Sequence, residues 1–563
     1  MRANARLILA VVSLLLVACA GPTGSGRGEE ANPPNGSIPT VLRVGLQREI
    51  ESFGGFGSGG GATVETPLVH DALALDRQGV EVPQLATALI SIQNGTWQVN
   101  ADGSMDTTWR LRPGVQWHDG APFTTEDVLF AYQVRKDPGL PSAAQTTLRT
   151  MVSAAVLDPL SFTAHWNQVN VRAVEAVGLE PLPKHLLESV YQSGSEAFLA
   201  HPLLRSEFVG LGPYRLLRWD SGVEMDLARF DAYYQGPAPI DRIILHYIAD
   251  PTTLVANILS GAVDVVVPPG VDLDAAAEVR ERWEAAGNYV VVGGFEDLNS
   301  AYTIQVRAEY ASPRAGLPQR DVREALLRAI DRPAMTDAIT FGLAPVADSW
   351  VAPQHGLRKQ VEGAIPQYPY DLNRARQLLA GAGWMPGSDG LLANPQTGEQ
   401  FKLELAGPVR PALQKQQAII ADGWKAIGVE GDIFVVPSSL DLIAETRSTR
   451  PGVYLGSLTA ERYYFQDQLH SREMTSPANW VLRNRSGYSN PAVDAVQDRL
   501  RVTIDQAERV NLQREFVHLA MEDVALWPFY WDVYPVLAVA SVKAPIFPSK
   551  GNTLSNIMDW NKD

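Results

Sequence analysis

The sequence predicts an α/β protein of at least two lobes, and two stretches carry that prediction. A strand over 240–248 leads into a helix opened by Pro251 and ended by Gly261, and an apolar strand follows over 263–267. Further on, strands over 401–405 and 429–436 flank a helix over 411–427. Strand, helix, strand in spans of this length is a parallel βαβ unit, because a parallel return needs a crossover long enough to hold a helix. With 563 residues, 45% of them apolar, the chain can bury several cores and fits two or three domains.

The chain opens with Arg2 and Arg6, then an apolar run over 7–17 broken only by Ser13. That is the h-region of a signal peptide, well short of the roughly 20 residues a membrane span needs. Leu16-Val17-Ala18-Cys19 resembles the lipobox of bacterial lipoproteins, in which the thiol is acylated and the chain is cut just before it. A plain secretory signal with an incidental cysteine is the alternative. Cys19 is the sole cysteine, so neither a disulfide framework nor a thiolate metal site can form, and a lipid anchor is the expected use of the thiol. Residues 21–39, GPTGSGRGEEANPPNGSIP, are nearly all Gly, Pro, Ser, Asn and charge, too polar to pack, and read as a flexible tether. As a flexible coil it would hold the body roughly 25 Å from the membrane. No later stretch is apolar enough to span a bilayer, which places the body outside the cytoplasm on that tether. Cleavage before Cys19 removes two arginines and leaves 45 basic against 63 acidic residues. Such an acidic chain is not built for nucleic acid, whose binding needs clustered Lys and Arg.

The body begins with an alternating strand over 41–46 and runs into Gly54–Gly61, GGFGSGGG. No Lys-Ser or Lys-Thr follows and no dinucleotide fingerprint is completed, so a loop beside a cleft is the better reading than a phosphate cradle. In WRLRPGVQWHDGAPFTTEDVLFAYQ, starting at Trp109, turn pairs bracket a short strand over 115–117. Thr124 and Asp127 then form a capping-box start to a helix whose apolar positions are Val128, Phe130, Ala131 and Val134. Residues 214–229 read as a hairpin turning at Asp220-Ser221-Gly222. Asp321 is the expected N-cap of a helix with Val322, Ala325, Leu326, Ala329 and Ile330 on its apolar face. Asp371 opens another helix, closed by Gly383. No internal repeat is present.

Chemistry is scarce. The nine histidines stand at 70, 118, 165, 185, 201, 246, 355, 470 and 518, never within one helical turn of each other, so no metal-binding helix motif exists. There is no G-x-S-x-G elbow. A glycosidase pair carries no sequence spacing and therefore has no support here. His118-Asp119 is adjacent and flanks a turn glycine, a turn rather than a dyad. Nothing demands an enzyme, a metal or a cofactor.

Several of these stretches together resemble one family, the extracellular solute-binding proteins of family 5, the peptide, dipeptide and nickel type that serve ABC importers. They are Trp109-Arg110-Leu111-Arg112 with Gly114 to Gly120 and Phe123 to Val128; Gly210-Leu211-Gly212-Pro213-Tyr214; and Ser260-Gly261-Ala262-Val263-Asp264. Asp321 to Leu326 with Ala329-Ile330-Asp331, and Asp371 with Ala375, Leu378-Leu379 and Ala382-Gly383, complete the set. The resemblance implies a two-lobed periplasmic-binding-protein fold (type II, Venus flytrap) with an inserted extra domain. The expected divisions are a signal peptide 1–18, a tether 19–39, lobe I from 40–80, 207–300 and 521–563, an inserted domain 81–206 and lobe II 301–520.

It further implies a monomeric, lipid-anchored protein facing the periplasm or the extracellular side. That protein would capture a peptide or peptide-like solute and deliver it to ABC permease subunits. A flytrap receptor or sensor, a binder of a non-peptide solute such as an oligosaccharide or metal chelate, and an extracellular hydrolase are the competing readings. By the same resemblance, ligand contacts belong where the chain enters the cleft: Glu51 and Phe53; Ser457, Glu461, Tyr463 and Tyr464; Tyr530 and Trp531. Trp117, His118 and Asp119 are expected to be structural. One departure stands out. Many peptide-binding members carry a Trp-x-x-Asp-like stretch whose acid holds the peptide ammonium, whereas this chain has Gly456-Ser457-Leu458-Thr459-Ala460, with Glu461 the nearest acid.

Overall fold

Leu42, Val44 and Leu46 are buried, as expected of the core-facing side of a strand in the middle of a sheet. The computed structural model describes residues 39–563 apart from 57–64, 78–79, 141–147, 269, 295–296, 442, 460–467, 481, 547 and 549–552. In it the strand Val41–Leu46 pairs in parallel with Arg242–Tyr247 on one side and Val265–Val266 on the other. The full seven-stranded order is Tyr289–Gly293, Tyr534–Ala538, Val265–Val266, Val41–Leu46, Arg242–Tyr247, Glu224–Arg229, Tyr214–Asp220. The helix Pro251–Ser260 makes the predicted crossover. Asp250 caps it by accepting from the Thr253 amide at 2.7 Å, and Gly261 ends it at φ 76°, a left-handed conformation in which a side chain is strained.

A second sheet has the order Glu430–Val436, Lys402–Pro408, Val453–Thr459, Asp297–Ile304, Trp527–Trp531. Its first two strands are parallel and joined by the helix Pro411–Lys425, the second predicted βαβ unit. One face packs Ala301, Leu405, Leu455 and Tyr530 against Leu326 and Trp424; the other packs Leu298, Leu458 and Trp531 against Phe516 and Val517. Each such side chain contributes about 1.5–3 kcal/mol by leaving water, so both faces are held by hydrophobic burial.

A four-stranded antiparallel sheet lies in the order Trp97–Val99, Met105–Arg110, Ser161–Trp166, Met151–Asp158. Met105, Thr107 and Trp109 alternate inward, and the helix Thr125–Lys136 packs beside them behind the predicted Thr124–Asp127 capping box. Thr40–Asp563 forms one unit. Among the described residues no helix is long and apolar enough to cross a membrane.

Two expectations change. The stretch 115–117 is not a strand: it makes a single bridge, Gln116 to Pro122, because the turns on either side leave no room for a ladder. The helix expected to have Asp321 as its N-cap starts two residues earlier, as Arg320–Arg328 with Gln319 at the N-cap. Asp321 is a first-turn acid, and Glu324 turns inward between Arg320 and Arg328. Asp297–Ile304 and Trp527–Trp531 both belong to the five-stranded sheet.

Candidate functional site

Strand direction identifies the place where the two large sheets meet. Val41–Leu46, Arg242–Tyr247 and Val265–Val266 are parallel. Tyr289–Gly293 shares their direction, since it and Val265–Val266 both run antiparallel to Tyr534–Ala538. In the other sheet Lys402–Pro408, Glu430–Val436 and Val453–Thr459 are parallel. Asp297–Ile304 runs against them and so begins where they end, and Trp527–Trp531 ends there too. The chain therefore passes twice between the sheets, from Gly293 to Asp297 and from Trp531 to Tyr534, each time joining carboxyl edge to carboxyl edge. Ligands of open α/β sheets bind outside the carboxyl ends of the strands, so this double crossing is the candidate site.

The strand ends at the crossing are polar. Asn299 lies opposite both Ser457 and Tyr530, so the three side chains share one face. The Ser457 hydroxyl donates to the Asp532 carboxylate and the Tyr534 hydroxyl donates to Asp297. The Asp532 amide donates to the Asp297 carbonyl at 2.8 Å, which ties the two crossings together. Asp297 and Asn299 are buried, and the Asn299 Oδ1 has no partner among the described residues. Burial, reinforced by the charge of Asp532, pushes the Tyr530 phenol up. On the first sheet's edge, Glu49 accepts from the Trp219 indole and from the Gly222 amide at 2.7 Å.

The residues nominated from sequence fall unevenly. Cys19, Glu461, Tyr463 and Tyr464 lie outside the described residues. Ser457, Tyr530 and Trp531 come to the crossing, on the two strands that flank Asp297–Ile304. Trp531 and Tyr530 are 1% and 2% exposed, within the two cores that sandwich the sheet, and Phe53 is 1% exposed, stacked on Phe208 at 4.4 Å. These three are core aromatics. Glu51 is exposed. Asp297, Asn299, Asp532 and Tyr534 were missed. Their only signal is polarity at the end of an apolar strand, which also marks ordinary loops.

His118 is structural, as expected. Its Nδ1 accepts from the Gly210 amide at 3.1 Å and its Nε2 donates to the Gly212 carbonyl at 3.0 Å, a pattern only the neutral ring can make. Burial brings its pKa down to about 4. Asp119 accepts from the Ala121 amide and from His185 at 2.7 Å. Among the described residues no three His, Cys, Asp or Glu side chains are grouped to hold a metal ion.

Comparison with known proteins agrees with this architecture. Residues 82–471 match the model of the bacterial extracellular solute-binding proteins, family 5 (middle region). Protein XP55 of Streptomyces lividans is 26% identical over 90% of this chain and 85% of its own length. The oligopeptide-binding protein AppA of Bacillus subtilis is 24% identical over 75% and 74%. Among solved structures, NikA of Brucella suis in complex with Fe(III)-EDTA superposes with a TM-score of 0.73 at 18% identity, over 93% of this chain and all of its own. NikZ of Campylobacter jejuni with Ni(L-His) gives 0.69 at 20%, and B. subtilis AppA with a nonapeptide gives 0.67 at 19%, each over the same shares. With two sheets joined by a double crossing and a family match over most of its length, the chain belongs to the bacterial extracellular solute-binding proteins of family 5.

Proposed function

We propose that this protein captures a peptide or peptide-like solute between its two lobes and delivers it to an ABC permease, tethered to the membrane through Cys19. The observation that carries the reading is the double crossing, in which the chain twice joins the carboxyl edge of one sheet to the carboxyl edge of the other. Two such crossings are suited to hinge motion, and binding would select the closed arrangement that a permease recognises. The proposed lobes are the seven-stranded sheet with its helices and the five-stranded sheet with its own. The four-stranded sheet would be an insertion in the first.

A non-peptide solute is the second reading. The Trp-x-x-Asp-like stretch is missing, and the similar structures include one holding Ni(L-His) and one holding Fe(III)-EDTA. Mass spectrometry of the small molecules that co-purify with the native protein decides between them. Calorimetry with the molecule found should then give saturable binding and a smaller radius by X-ray scattering. A radius that stays fixed at saturation overturns the closure mechanism. For the anchor, Cys19→Ala should abolish palmitate labelling and membrane retention; unchanged labelling overturns it.

A further inference from the structure

With Phe53, Tyr530 and Trp531 buried, a stacking surface for the cleft is sought among the other described residues, and exposure narrows the search. Phe341 and Tyr370 are the aromatic side chains, among the described residues, that stand more than a third in water, at 49% and 46%. Tyr370 precedes Asp371, whose amide donates to the Arg328 carbonyl, and the neighbouring Tyr368 carbonyl accepts from Arg332 at the start of the helix Arg332–Thr340. That is the far end of the lobe. Phe341 follows the other end of the same helix.

Where Phe341 lies is fixed by backbone pairing. The Trp531 amide donates to the Pro345 carbonyl, Val346 bridges Tyr530, and the Ala347 amide donates to the Phe529 carbonyl. Residues 345–347 thus run antiparallel to Trp527–Trp531 along its outer edge. The residues before Pro345 must therefore lie beyond Trp531, at the carboxyl edge where the chain crosses between the sheets. Leu343 and Ala344 fold back onto Thr340 through its carbonyl and hydroxyl, which keeps Phe341 at that edge. The backbone there is also unusual. Phe341 is left-handed, φ 53° and ψ 33°, a conformation that disfavours a bulky side chain, although Gly342 stands next to it. Val346, 39% exposed, adds apolar surface beside it.

We propose that Phe341 is a specificity-determining ligand contact of the cleft, taking an aromatic or aliphatic side chain of the bound peptide. This rests on the peptide reading given above. A half-exposed aromatic held at the mouth of a binding edge gains free energy when a second apolar group covers it, and an aromatic pair adds to that through its preferred geometry.

The test compares two pentapeptides, Ala-Ala-Phe-Ala-Ala and penta-alanine, titrated by calorimetry into full-length protein freed of solute by dialysis. Wild type should bind the phenylalanine peptide about tenfold more tightly. Phe341→Ala should bring that ratio close to one while the thermal midpoint stays unchanged, and Phe341→Leu should retain part of the preference. If Phe341→Ala keeps the wild-type ratio, or weakens both peptides equally, the assignment is overturned while the peptide reading stands. If wild type binds neither peptide, the peptide reading fails and takes the assignment with it.

Discussion

The four-stranded and seven-stranded sheets are locked together by close-packed backbone and buried rings, whereas the two large sheets are joined through two short lengths of chain. At the first junction His118 clasps Gly210 and Gly212, His70 stacks on Trp117, and Arg135 donates to the Gly54 carbonyl at 3.2 Å. A Cβ on Gly212 would fall 2.4 Å from the Val69 carbonyl carbon and 2.5 Å from the His70 nitrogen, so the two backbones are in direct contact. At the crossing between the large sheets the contacts described are two hydroxyl–carboxylate bonds and one backbone hydrogen bond at strand ends. Rigid packing of the first kind admits no sliding without breaking it; a few polar bonds around two strands can be exchanged. Motion is expected at the second junction and not at the first.

The largest effect should come from the core that supports the crossing. Trp531→Ala removes a fully buried indole and is expected to cost about 3–5 kcal/mol in chemical denaturation; a loss under 1 kcal/mol would mean that the ring is not core. Gly212→Ala comes next. The new methyl meets backbone on three sides, and a cost of about 3 kcal/mol is expected. Gly222→Ala serves as its control, with φ 75° but nothing within 4 Å, and should cost about 1 kcal/mol. Equal costs at the two glycines would remove the contrast between a locked and an open junction.

A pH effect sharpens the same contrast. Asp71 sits beside the locked junction, accepting from Tyr233 at 2.7 Å, Tyr234 at 2.9 Å and Gln84 at 2.6 Å. Burial pushes its pKa up from 3.8 to about 7, despite the two tyrosine hydroxyls that favour the charged form. The folded protein thus keeps this proton to about pH 7 and the unfolded chain only to 3.8. Its contribution to stability is full below 3.8 and is lost as pH rises to about 7. Asp71→Asn cannot ionise, so its thermal midpoint relative to wild type should climb between pH 5 and pH 8, as scanning calorimetry would report. A constant difference would show that the carboxyl titrates normally. The smallest effect is expected at the crossing itself, where Ser457→Ala removes one half-buried hydroxyl and should cost about 1 kcal/mol or less.

Legibility in the sequence followed locality. Both βαβ units were readable because caps and turn residues sit next to what they punctuate: Pro251 and Gly261 around one helix, Pro411 at the start of the other. Asp321 misled by two residues because an acid in the first turn satisfies the same pattern as an N-cap. The aromatic assignment was harder. Tyr530 and Trp531 have the composition of a cleft wall, yet pairing with Leu298 and Asn299, more than two hundred residues earlier, turns them into the cores. Phe341 has no local signal at all, since its exposure arises from where residues 345–347 pair on a distant strand.

The ends of the chain carry a consequence for its birth. Tyr534–Ala538 fills the gap between Val265–Val266 and Tyr289–Gly293, so Tyr289–Gly293 has no partner in the sheet until residues 534–538 have been made. Lys562 then reaches the Val41 carbonyl at 2.7 Å, closing a loop of 521 residues, and joins Arg43 on the buried Asp264. Closure entropy grows only with the logarithm of loop length, but contacts this distant form late. A ribosome that has released the first five-sixths of this protein has released an unfinished sheet. The clip from Lys562 to the first strand can form only after that sheet's late strand has been made.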